Sequence, residues 1–358
     1  REAGRIGNIE SEIMNKTLNI DSLFMIHNAN HISVLLNEVL KALDPQPGEF
    51  FIDGTLGAGG HAKAVLEKIK SRGTLLGLDW DQRNLEDFRR ENPEMKGKLI
   101  LIHENYANLP EILEKHRLAK ADGLLLDLGF SSDQLEHSGR GFSFLKNEPL
   151  DMRYNPGDED RPTAASIVNG RNEAELADII YRYGEERLSR RIAKKIVEKR
   201  RERRIGTTDE LAEIIRSAVP KNYERGRIHP ATRTFQALRI FVNDELGNLE
   251  SILKNLPEII GKEGRIAIIS FHSLEDRMVK LCFQSLVKEK KARFIIKKPT
   301  TAGRDESKTN SKSRSAQSGA MTSLSICSQS SNQTALIICA GVSERQKRTA
   351  IKLRGSSR

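Results

Sequence analysis

The stretch Asp53-Gly54-Thr55-Leu56-Gly57-Ala58-Gly59-Gly60-His61 separates a short apolar run, residues 49–52, from residues 62–69, whose apolar positions have helical spacing. This order predicts a β-strand, a glycine-rich turn and an α-helix. Glycines let the backbone pass close beneath a ligand, where larger side chains would collide with it. The helix start then offers free N–H groups to a polar or anionic group. A tight turn without a ligand is the alternative.

A second apolar run, residues 74–78, ends in Asp79, nineteen residues after Gly60. A carboxylate at the tip of the second strand of such a unit is placed to accept hydrogen bonds from a ribose diol. The turn and the acid together predict an adenosine-containing cofactor.

The glycine turn departs from the dinucleotide pattern G-x-G-x-x-G, because Asp53 leads it and a glycine pair closes it. S-adenosylmethionine (SAM) presents an amino group and a sulfonium instead of a pyrophosphate. A carboxylate beside the turn suits those positive charges and would repel a pyrophosphate. Asp53 therefore favours SAM over NAD; its alternative role is to cap the following turn.

Two further apolar runs are followed by side chains that can contact a ligand. Residues 99–103 lead to Tyr106, and residues 122–126 end in Asp127. Because ligands of an open parallel sheet bind beyond the carboxyl ends of its strands, these tips are expected to meet in one crevice. We expect Tyr106 to lie against an adenine ring and Asp127 near the group that reacts with the cofactor.

Together these residues resemble the RsmH (MraW) family of SAM-dependent ribosomal RNA cytosine-N4 methyltransferases. The similarity covers roughly residues 31–300 and rests on blocks in family order: 31–39 (HISVLLNEV), 53–61, 127–135 (DLGFSSDQL), 140–144 (RGFSF), 149–153 (PLDMR), 183–186 (YGEE), 229–245 (HPATRTFQALRIFVNDE) and 270–277 (SFHSLEDR). The resemblance implies an α/β fold, a Rossmann-like class I methyltransferase sheet with an inserted helical domain, and SAM as cofactor.

The resemblance also implies which residues contact SAM. They are Gly59, Gly60, His61, Asp79, Tyr106, Asp127 and Gln134, to which the turn itself adds Asp53 and Gly57. The family usually has Phe where this chain has Tyr106, a change that keeps an aromatic face.

Asp127 and Phe130 are the candidate catalytic residues. The exocyclic amine of cytosine is a poor nucleophile because its lone pair is delocalised into the ring. Transfer needs the amine aligned with the methyl carbon, and acceptors that localise the lone pair as it attacks. We assign this orienting role to Asp127; the alternative is that Asp127 only anchors the amino group of the cofactor. Phe130, where the family usually has a small aliphatic residue, either stacks on the target base or crowds the pocket.

Four further residues are candidates for substrate binding. His229, Arg233 and Gln236 belong to a segment whose pattern predicts a helix over residues 231–243, with a polar face that meets substrate, closes the crevice or is solvated. His272 follows a fifth apolar run and is either a substrate ligand or a hydrogen-bonded structural histidine. The histidines lack ligand spacing, so no metal site is predicted.

The alternation of strands and helices stops after Asp127 and resumes near Gly264. We therefore predict a methyltransferase domain formed by residues 31–135 and 229–300, with an inserted helical substrate-recognition domain at 136–228. Residues 190–204 hold nine Lys or Arg against two Glu, which indicates a phosphate-facing surface or an ordinary solvated helix.

The net charge of +10 resides near the C-terminal end. Residues 297–358 hold twelve Lys or Arg against three acids, whereas the 296 residues before them carry only +1. Residues 301–358 are interpreted as a low-complexity basic tail. From Gln317 the tail departs from the family's closing strand, which we interpret as a frame-shifted or otherwise aberrant ending. Residues 1–30 are interpreted as an N-terminal extension, either extraneous or a presequence remnant.

The resemblance implies small-subunit ribosomal RNA, or the assembled small subunit, as the partner, with a homodimer implied by resemblance only. The sequence contains no signal peptide or membrane-spanning run. Its three cysteines form no CxxC pair, so we expect a cytoplasmic protein. Two other functions stay open at this point. One is a nucleotide-dependent oxidoreductase, and the other is a non-catalytic RNA-binding ribosome assembly factor that retains the fold.

Overall fold

The computed structural model describes residues 33–95, 99–129, 138–223, 228–296, 300–301 and 320–326. The first part alternates strands and helices: α1 (Leu36–Leu43), β1 (Phe50–Asp53), α2 (Gly60–Ile69), β2 (Thr74–Asp79), α3 (Gln82–Glu91), β3 (Leu99–His103), α4 (Leu109–Lys115) and β4 (Ala121–Asp127). The helical region follows: α5 (Ala164–Gly170), α6 (Glu173–Gly184), α7 (Ser189–Glu202), α8 (Thr208–Ala218) and α9 (Thr232–Asn243). The chain then returns to the sheet: α10 (Glu245–Ile259), β5 (Ile260–Ser270), α11 (Ser273–Lys288), β6 (Ala292–Phe294), β7 (Thr300–Thr301) and β8 (Ala320–Ile326).

An eight-stranded sheet forms the centre of the fold, in the order β3-β2-β1-β4-β5-β8-β6, with β7 paired to β8. Strands β1 to β5 are parallel, whereas β8 runs antiparallel to β5 and β6. The strand order reverses between β1 and β4, and such a switch point leaves a crevice at the carboxyl ends of the strands. The predicted Rossmann-like α/β sheet is confirmed.

Helices cover both faces of the parallel sheet, which explains why its strands are almost uninterrupted apolar runs. Successive side chains of a strand point to opposite faces. Ile52 and Leu124 accordingly share a core with Leu253 of α10 and Phe283 of α11. Phe51, one residue from Ile52, belongs to a second core with helices α1, α2 and α3. These two layers fix the strand tips on which the site is built.

The helical region has a core of its own, formed by the apolar faces of α5 to α9. Two of its helices begin with a reciprocal capping box, in which the side chain of the N-cap and that of a glutamate three residues later satisfy free backbone N–H groups. These pairs are Asn172 with Glu175, and Thr207 with Glu210. The predicted inserted helical unit is therefore present.

The predicted boundary of that unit, residue 228, differs from the structure. Helix α9 is present where the pattern predicts it, but Phe235, Leu238 and Val242 on its apolar face pack in the helical core. The helical region consequently extends to Asn243. Sequence spacing gives the apolar face of a helix but does not say which of two cores receives it.

A further difference concerns the tail. Residues 320–326 of the segment interpreted as an aberrant ending form β8, which pairs with β5 from Arg265 to Ser270. Backbone hydrogen bonds hold such a strand whatever its side chains, so the Ser-rich composition concealed it. The rest of the tail interpretation, and the N-terminal extension, lie outside the described residues. Within the described ranges, no helix has the length and apolar character needed to cross a membrane.

Candidate active site

A crevice opens at the carboxyl ends of β1, β2 and β4; its empty volume, which includes open solvent, is about 980 Å³. The walls combine the glycine turn, the strand tips and residues of the returning chain: Ser33, Val34, residues 54–61, Asp79, Trp80, Asn84, residues 104–106, Asp127, Gly129, Tyr154, Glu245 and Glu275.

The turn requires glycine for two reasons, the backbone conformation and the lack of space for a side chain. Gly59 is the N-cap of α2 with φ +76°, and Gly57 has φ +52°, in the left-handed region that other residues rarely adopt. A Cβ atom on Gly59 would also overlap the ring of Phe88. No side chain in the described ranges caps α2, which leaves the N–H groups of its first turn for a ligand.

His61 follows these glycines and lies at the edge of the crevice. Its Nε2 atom is 3.0 Å from the carbonyl oxygen of Val34, and the side chain is buried. The ring therefore ties the segment before α1 to the glycine turn. A direct contact of His61 with the cofactor stays a prediction.

Asp79 at the tip of β2 is held by three protein donors. Its Oδ1 accepts the N–H of Asp81 (2.8 Å), and its Oδ2 accepts the N–H of Gly57 (2.7 Å) and the side-chain amide of Asn84 (3.0 Å). A carboxylate has roughly four acceptor positions, so one stays open toward the crevice. Burial raises the pKa of Asp79 despite these hydrogen bonds.

Asp53 lies beneath the turn and is almost fully buried. Burial raises the pKa of its carboxyl to about 7; the hydrogen bond from Thr55 opposes this rise, and the nearby Asp127 and Asp79 add to it. In the described part of the chain, neither Asp53 nor Asp79 forms an ion pair with a Lys or Arg. A positive ligand charge in the crevice would stabilise both carboxylates.

Asp127 ends β4 and lines the same crevice. Its backbone N–H donates to Oγ1 of Thr55 at 2.7 Å, a bond that joins the β4 tip to the turn after β1. The structure thus brings together the three acids that the sequence places on separate strands. Phe130 and Gln134 lie outside the described residues, and their roles stay predictions.

A second acidic pair, Glu245 and Glu275, forms the far wall of the crevice. The guanidinium of Arg239 donates to both carboxylate oxygens of Glu245 (2.7 and 2.8 Å), and the hydroxyl of Tyr154 donates to one of them (3.0 Å). Glu275 accepts the N–H of Phe271 at 2.9 Å.

His272 accounts for the state of Glu275. Burial alone would raise the pKa of Glu275, but electrostatic interaction with His272 and, after it, with Arg239 holds that pKa below its usual range. The Nδ1 atom of His272 accepts the N–H of Glu275 (3.4 Å) as the N-cap of α11, and its Nε2 atom lies 3.2 Å from Oε1 of Glu275. His272 is therefore engaged with the helix that it begins.

The ligand-type atoms of Glu245, His272 and Glu275 lie within 4.8 Å of one another, although the scattered histidines predict no metal site. Nδ1 of His272 accepts the backbone N–H of Glu275, and Nε2 lies 3.2 Å from Oε1 of Glu275. The guanidinium of Arg239 donates to both carboxylate oxygens of Glu245. These three side chains therefore already face partner groups within the protein.

Tyr106 lines the crevice between the two acidic sets. Burial, followed by the negative charges of Glu275 and Glu245, raises the pKa of its hydroxyl. Tyr106 therefore supplies an aromatic side chain to the crevice wall. Its contact with adenine stays a prediction.

The other candidate substrate residues do not line the crevice. Gln236 donates to the carbonyl of Tyr183 (3.1 Å), and Arg233 lies 4.0 Å from the buried Glu186, so both join α9 to the end of α6. His229 is exposed, and its ring stacks on Phe144 with centroids 4.5 Å apart. The polar face of α9 is thus an internal contact, neither solvated nor part of the crevice.

Several crevice residues were not identified from the sequence: Trp80, Glu104, Tyr154, Glu245 and Glu275. A signal existed for Trp80, the single tryptophan of the chain, because it directly follows Asp79. Glu245 and Glu275 both lie inside blocks that carry the family resemblance. Tyr154 had no such signal, since a loop from the helical region brings it to the crevice.

The residues present fit SAM. The first turn of α2 has no side-chain cap in the described ranges, so its N–H groups can bind a polar end of the ligand. The buried Asp53 and the half-buried Asp79 have no protein cation in the described ranges and suit a ligand that carries an ammonium and a sulfonium. With the sheet order, these features define a class I SAM-dependent methyltransferase.

Comparison with known proteins gives the family. Residues 28–322 match the MraW methylase family, and the chain belongs to that family. The ribosomal RNA small subunit methyltransferase H of Clostridium botulinum (strain Kyoto / Type A2) is 43% identical over 301 residues, covering 80% of this chain and 96% of that protein. Its counterpart in Heliobacterium mobile is 44% identical over 303 residues, with the same coverage. The one from Syntrophotalea carbinolica is 49% identical over 257 residues, 72% of this chain and 81% of that protein.

Proposed function

We propose that this protein transfers the methyl group of SAM to the exocyclic N4 amine of a cytidine in small-subunit ribosomal RNA, near the decoding centre. The observation that carries the proposal is the position of Asp127, whose strand tip forms one wall of the crevice above the buried Asp53. The relatives named as ribosomal RNA small subunit methyltransferases support the substrate class. The resemblance of Asp127-Leu128-Gly129-Phe130 to the family's motif supports the choice of the cytosine amine.

Bound SAM supplies a methyl group made electrophilic by its sulfonium. The first N–H groups of α2 and the open acceptor position of Asp79 hold the polar ends of the cofactor. Asp53 contributes the negative charge that the sulfonium side requires. Asp127 accepts a hydrogen bond from the amine of the base, which aligns the nitrogen lone pair with the methyl carbon.

The substrate-binding roles of His229, Arg233 and Gln236 remain part of the proposal, whereas for His272 the contacts with Glu275 support the other alternative, a hydrogen-bonded structural histidine. His229 has the most accessible of these side chains, and its stack on Phe144 offers an aromatic surface to a nucleotide. The small ribosomal subunit is the proposed partner and the cytoplasm the proposed location. A homodimer, implied by resemblance alone, also remains a proposal.

The two other functions are not favoured. An oxidoreductase would need the dinucleotide glycine pattern, and the turn led by Asp53 departs from it. A non-catalytic assembly factor would need no acid at the β4 tip. Calorimetric titration with SAM and with NAD separates the first alternative from a methyltransferase.

The direct test uses small subunits that lack the modification, incubated with the protein and SAM labelled in its methyl group. Nucleosides released from the RNA are then separated. Label in N4-methylcytidine is the expected result, with already modified subunits as the matched control. Label in another nucleoside would contradict the cytosine assignment, and SAM binding without any transfer would leave only a binding role.

A further inference from the structure

Helix α7 is two-sided. Ile192, Ala193 and Ile196 are buried against the helical core, so the opposite side of the helix faces outward. That outward side carries most of the nine basic residues found between 190 and 204. Their number alone does not indicate a binding surface, because many helices neutralise such charges internally.

Four of these bases already have partners in the fold. Lys195 pairs with Glu198 (3.2 Å), and Lys199 pairs with Glu202 (2.9 Å). Arg200 donates to the carbonyl oxygens of Val168 and Arg171, at 2.7 and 2.6 Å. Arg203 pairs with Glu210. Three of these cations are thus paired with a glutamate, and the guanidinium of Arg200 is held by backbone carbonyl groups.

Of the remaining five bases, Arg190, Arg191, Lys194 and Arg201 lie on α7, whereas Arg204 follows the end of the helix. These four and Arg187, which precedes the helix, are defined as the stripe. All five are exposed, and within the described ranges none has a hydrogen bond or ion pair. At 3.6 residues per turn the four members on α7 fall within an arc of roughly 100°, opposite the buried isoleucines. The acid inside this arc, Glu198, is neutralised by Lys195.

The stripe begins beside the crevice. Glu185, two residues before Arg187, accepts hydrogen bonds from Ser273 and Arg277, which belong to the first turns of α11. Helix α11 starts directly after β5, so this contact lies at the carboxyl-end edge of the sheet, where the crevice opens. From Arg190 to Arg201 the stripe then extends about 17 Å along α7.

We infer that the stripe binds the phosphate backbone of the RNA strand whose target base enters the crevice. The inference rests on the proposed function and names a surface that brings the substrate to it. A row of unpaired cations without interleaved aromatic side chains suits phosphates rather than bases, so it supplies affinity and position without sequence specificity. Arginine, which forms four of the five members, pairs bidentately with phosphate.

The test compares two double variants matched in charge and residue type. Arg190→Gln with Lys194→Gln removes two members of the stripe, and Lys68→Gln with Arg89→Gln removes two exposed cations from α2 and α3. Glutamine keeps the helical propensity of both residues it replaces. Affinity for a mixed-sequence single-stranded RNA is measured across a range of KCl concentrations.

Each phosphate contact contributes about 0.7 to the slope of log K against log salt for a single strand. The stripe variant should therefore lose about 1.4 of the slope, so wild type loses roughly sevenfold more affinity than the variant between about 50 and 200 mM salt. The control variant should keep the wild-type slope, and all three proteins should bind SAM equally.

An unchanged slope in the stripe variant would overturn the inference. So would a stripe variant that keeps its slope on RNA but loses binding to assembled small subunits, because that result points to an acidic protein surface. Failure of the proposed function is distinguishable: wild type would then show the salt dependence and transfer no methyl group to small subunits.

Discussion

Two pairs of acids lie at the crevice, and they differ in where their counter-charge comes from: Asp79, Glu245 and Glu275 line its walls, and Asp53 lies beneath the glycine turn. Asp53 and Asp79 receive hydrogen bonds from backbone N–H groups and an amide, and burial raises the pKa of both. Glu245 and Glu275 face Arg239 and His272, and the pKa of Glu275 is held low. The desolvation cost is common to both sets, so the difference lies in the cation.

The comparison separates structural acids from ligand-binding acids. An acid that the fold itself neutralises is a structural element, and removing its cation leaves an uncompensated buried charge. An acid that the fold buries without a cation destabilises the ligand-free protein and gains stabilisation when a positive ligand arrives. The strand-tip set consists of Asp53, Asp79 and, by position, Asp127. We propose that Asp53 and Asp79 are of the second kind.

We call Glu245 and Glu275 the neutralised set, and we expect the largest effect when the cation beside Glu245 is removed. Arg239→Met removes the cation of the buried Glu245 and should lower the free energy of unfolding by about 3–5 kcal/mol, measured by urea denaturation. The double variant Arg239→Met with Glu245→Leu removes both charges and should recover at least half of that loss. A single variant as stable as wild type would contradict the structural role of the pair.

The next largest effect is expected on the rate of methyl transfer when Asp127 of the strand-tip set is replaced. Asp127→Asn removes the charge but keeps the backbone N–H that bonds Thr55. We expect the single-turnover rate of methyl transfer to fall by about 100- to 1,000-fold, the usual loss when one preorganised polar contact to the transition state is removed. SAM affinity, measured in parallel by calorimetry, should change only a few-fold. Lost SAM binding with an unchanged rate would instead assign Asp127 to anchoring the cofactor.

The strand-tip set was accessible to sequence reasoning because each of its acids follows an apolar run. Residues 49–52, 74–78 and 122–126 predict buried strands, and parallel strands bring their carboxyl ends to one edge. Local pattern therefore gives both the fold and the acids Asp53, Asp79 and Asp127. The glycine turn adds the place where the ligand approaches the backbone.

The neutralised set was not accessible in the same way. Arg239 and Glu245 are joined because Asp244, with φ +48°, turns the chain between α9 and α10 and folds the glutamate back onto the arginine. Helical periodicity instead places Arg239 on a polar face with Gln236. Tyr154 reaches Glu245 across 91 residues of chain. Contacts that depend on a single turn conformation or on such separation leave no periodic signal.

The pH dependence of SAM binding tests the unpaired state of Asp53. With a pKa of about 7, the carboxyl is mostly protonated in the ligand-free protein below that pH and must lose its proton to face a cation. SAM affinity should therefore rise by about tenfold per pH unit up to about 7 and level off above it. Asp53→Asn should abolish this rise, and its amide oxygen still accepts the N–H of Thr55.

Stability without SAM supplies the second measurement on Asp53. A carboxyl with a raised folded pKa binds its proton more tightly in the folded state, so wild type loses stability as pH rises from the unfolded value of 3.8 to about 7. At pH 8 the variant Asp53→Asn should exceed wild type by about 1–3 kcal/mol. Equal stability of the two proteins at pH 8, with a flat SAM affinity in wild type, would place a protein cation beside Asp53.

The smallest effect is expected at His272. Comparing His272→Asn with wild type in stability and in KM distinguishes a helix cap from a substrate ligand. Asparagine is a good N-cap, so His272→Asn keeps an acceptor for the N–H of Glu275 and removes only the imidazole that faces Oε1 of Glu275 at 3.2 Å. We expect the free energy of unfolding to fall by about 1 kcal/mol at pH 7.

The pH dependence of this loss follows from Glu275. Because the folded pKa of Glu275 lies below 4.5, the stabilisation that this carboxylate contributes is present above pH 4.5 and is lost as the pH falls through the folded pKa. The difference between the two proteins should therefore shrink in acid, while the KM for small subunits stays at its wild-type value. A raised KM with unchanged stability would mean that His272 binds the substrate and that Glu275 needs no imidazole to stay charged.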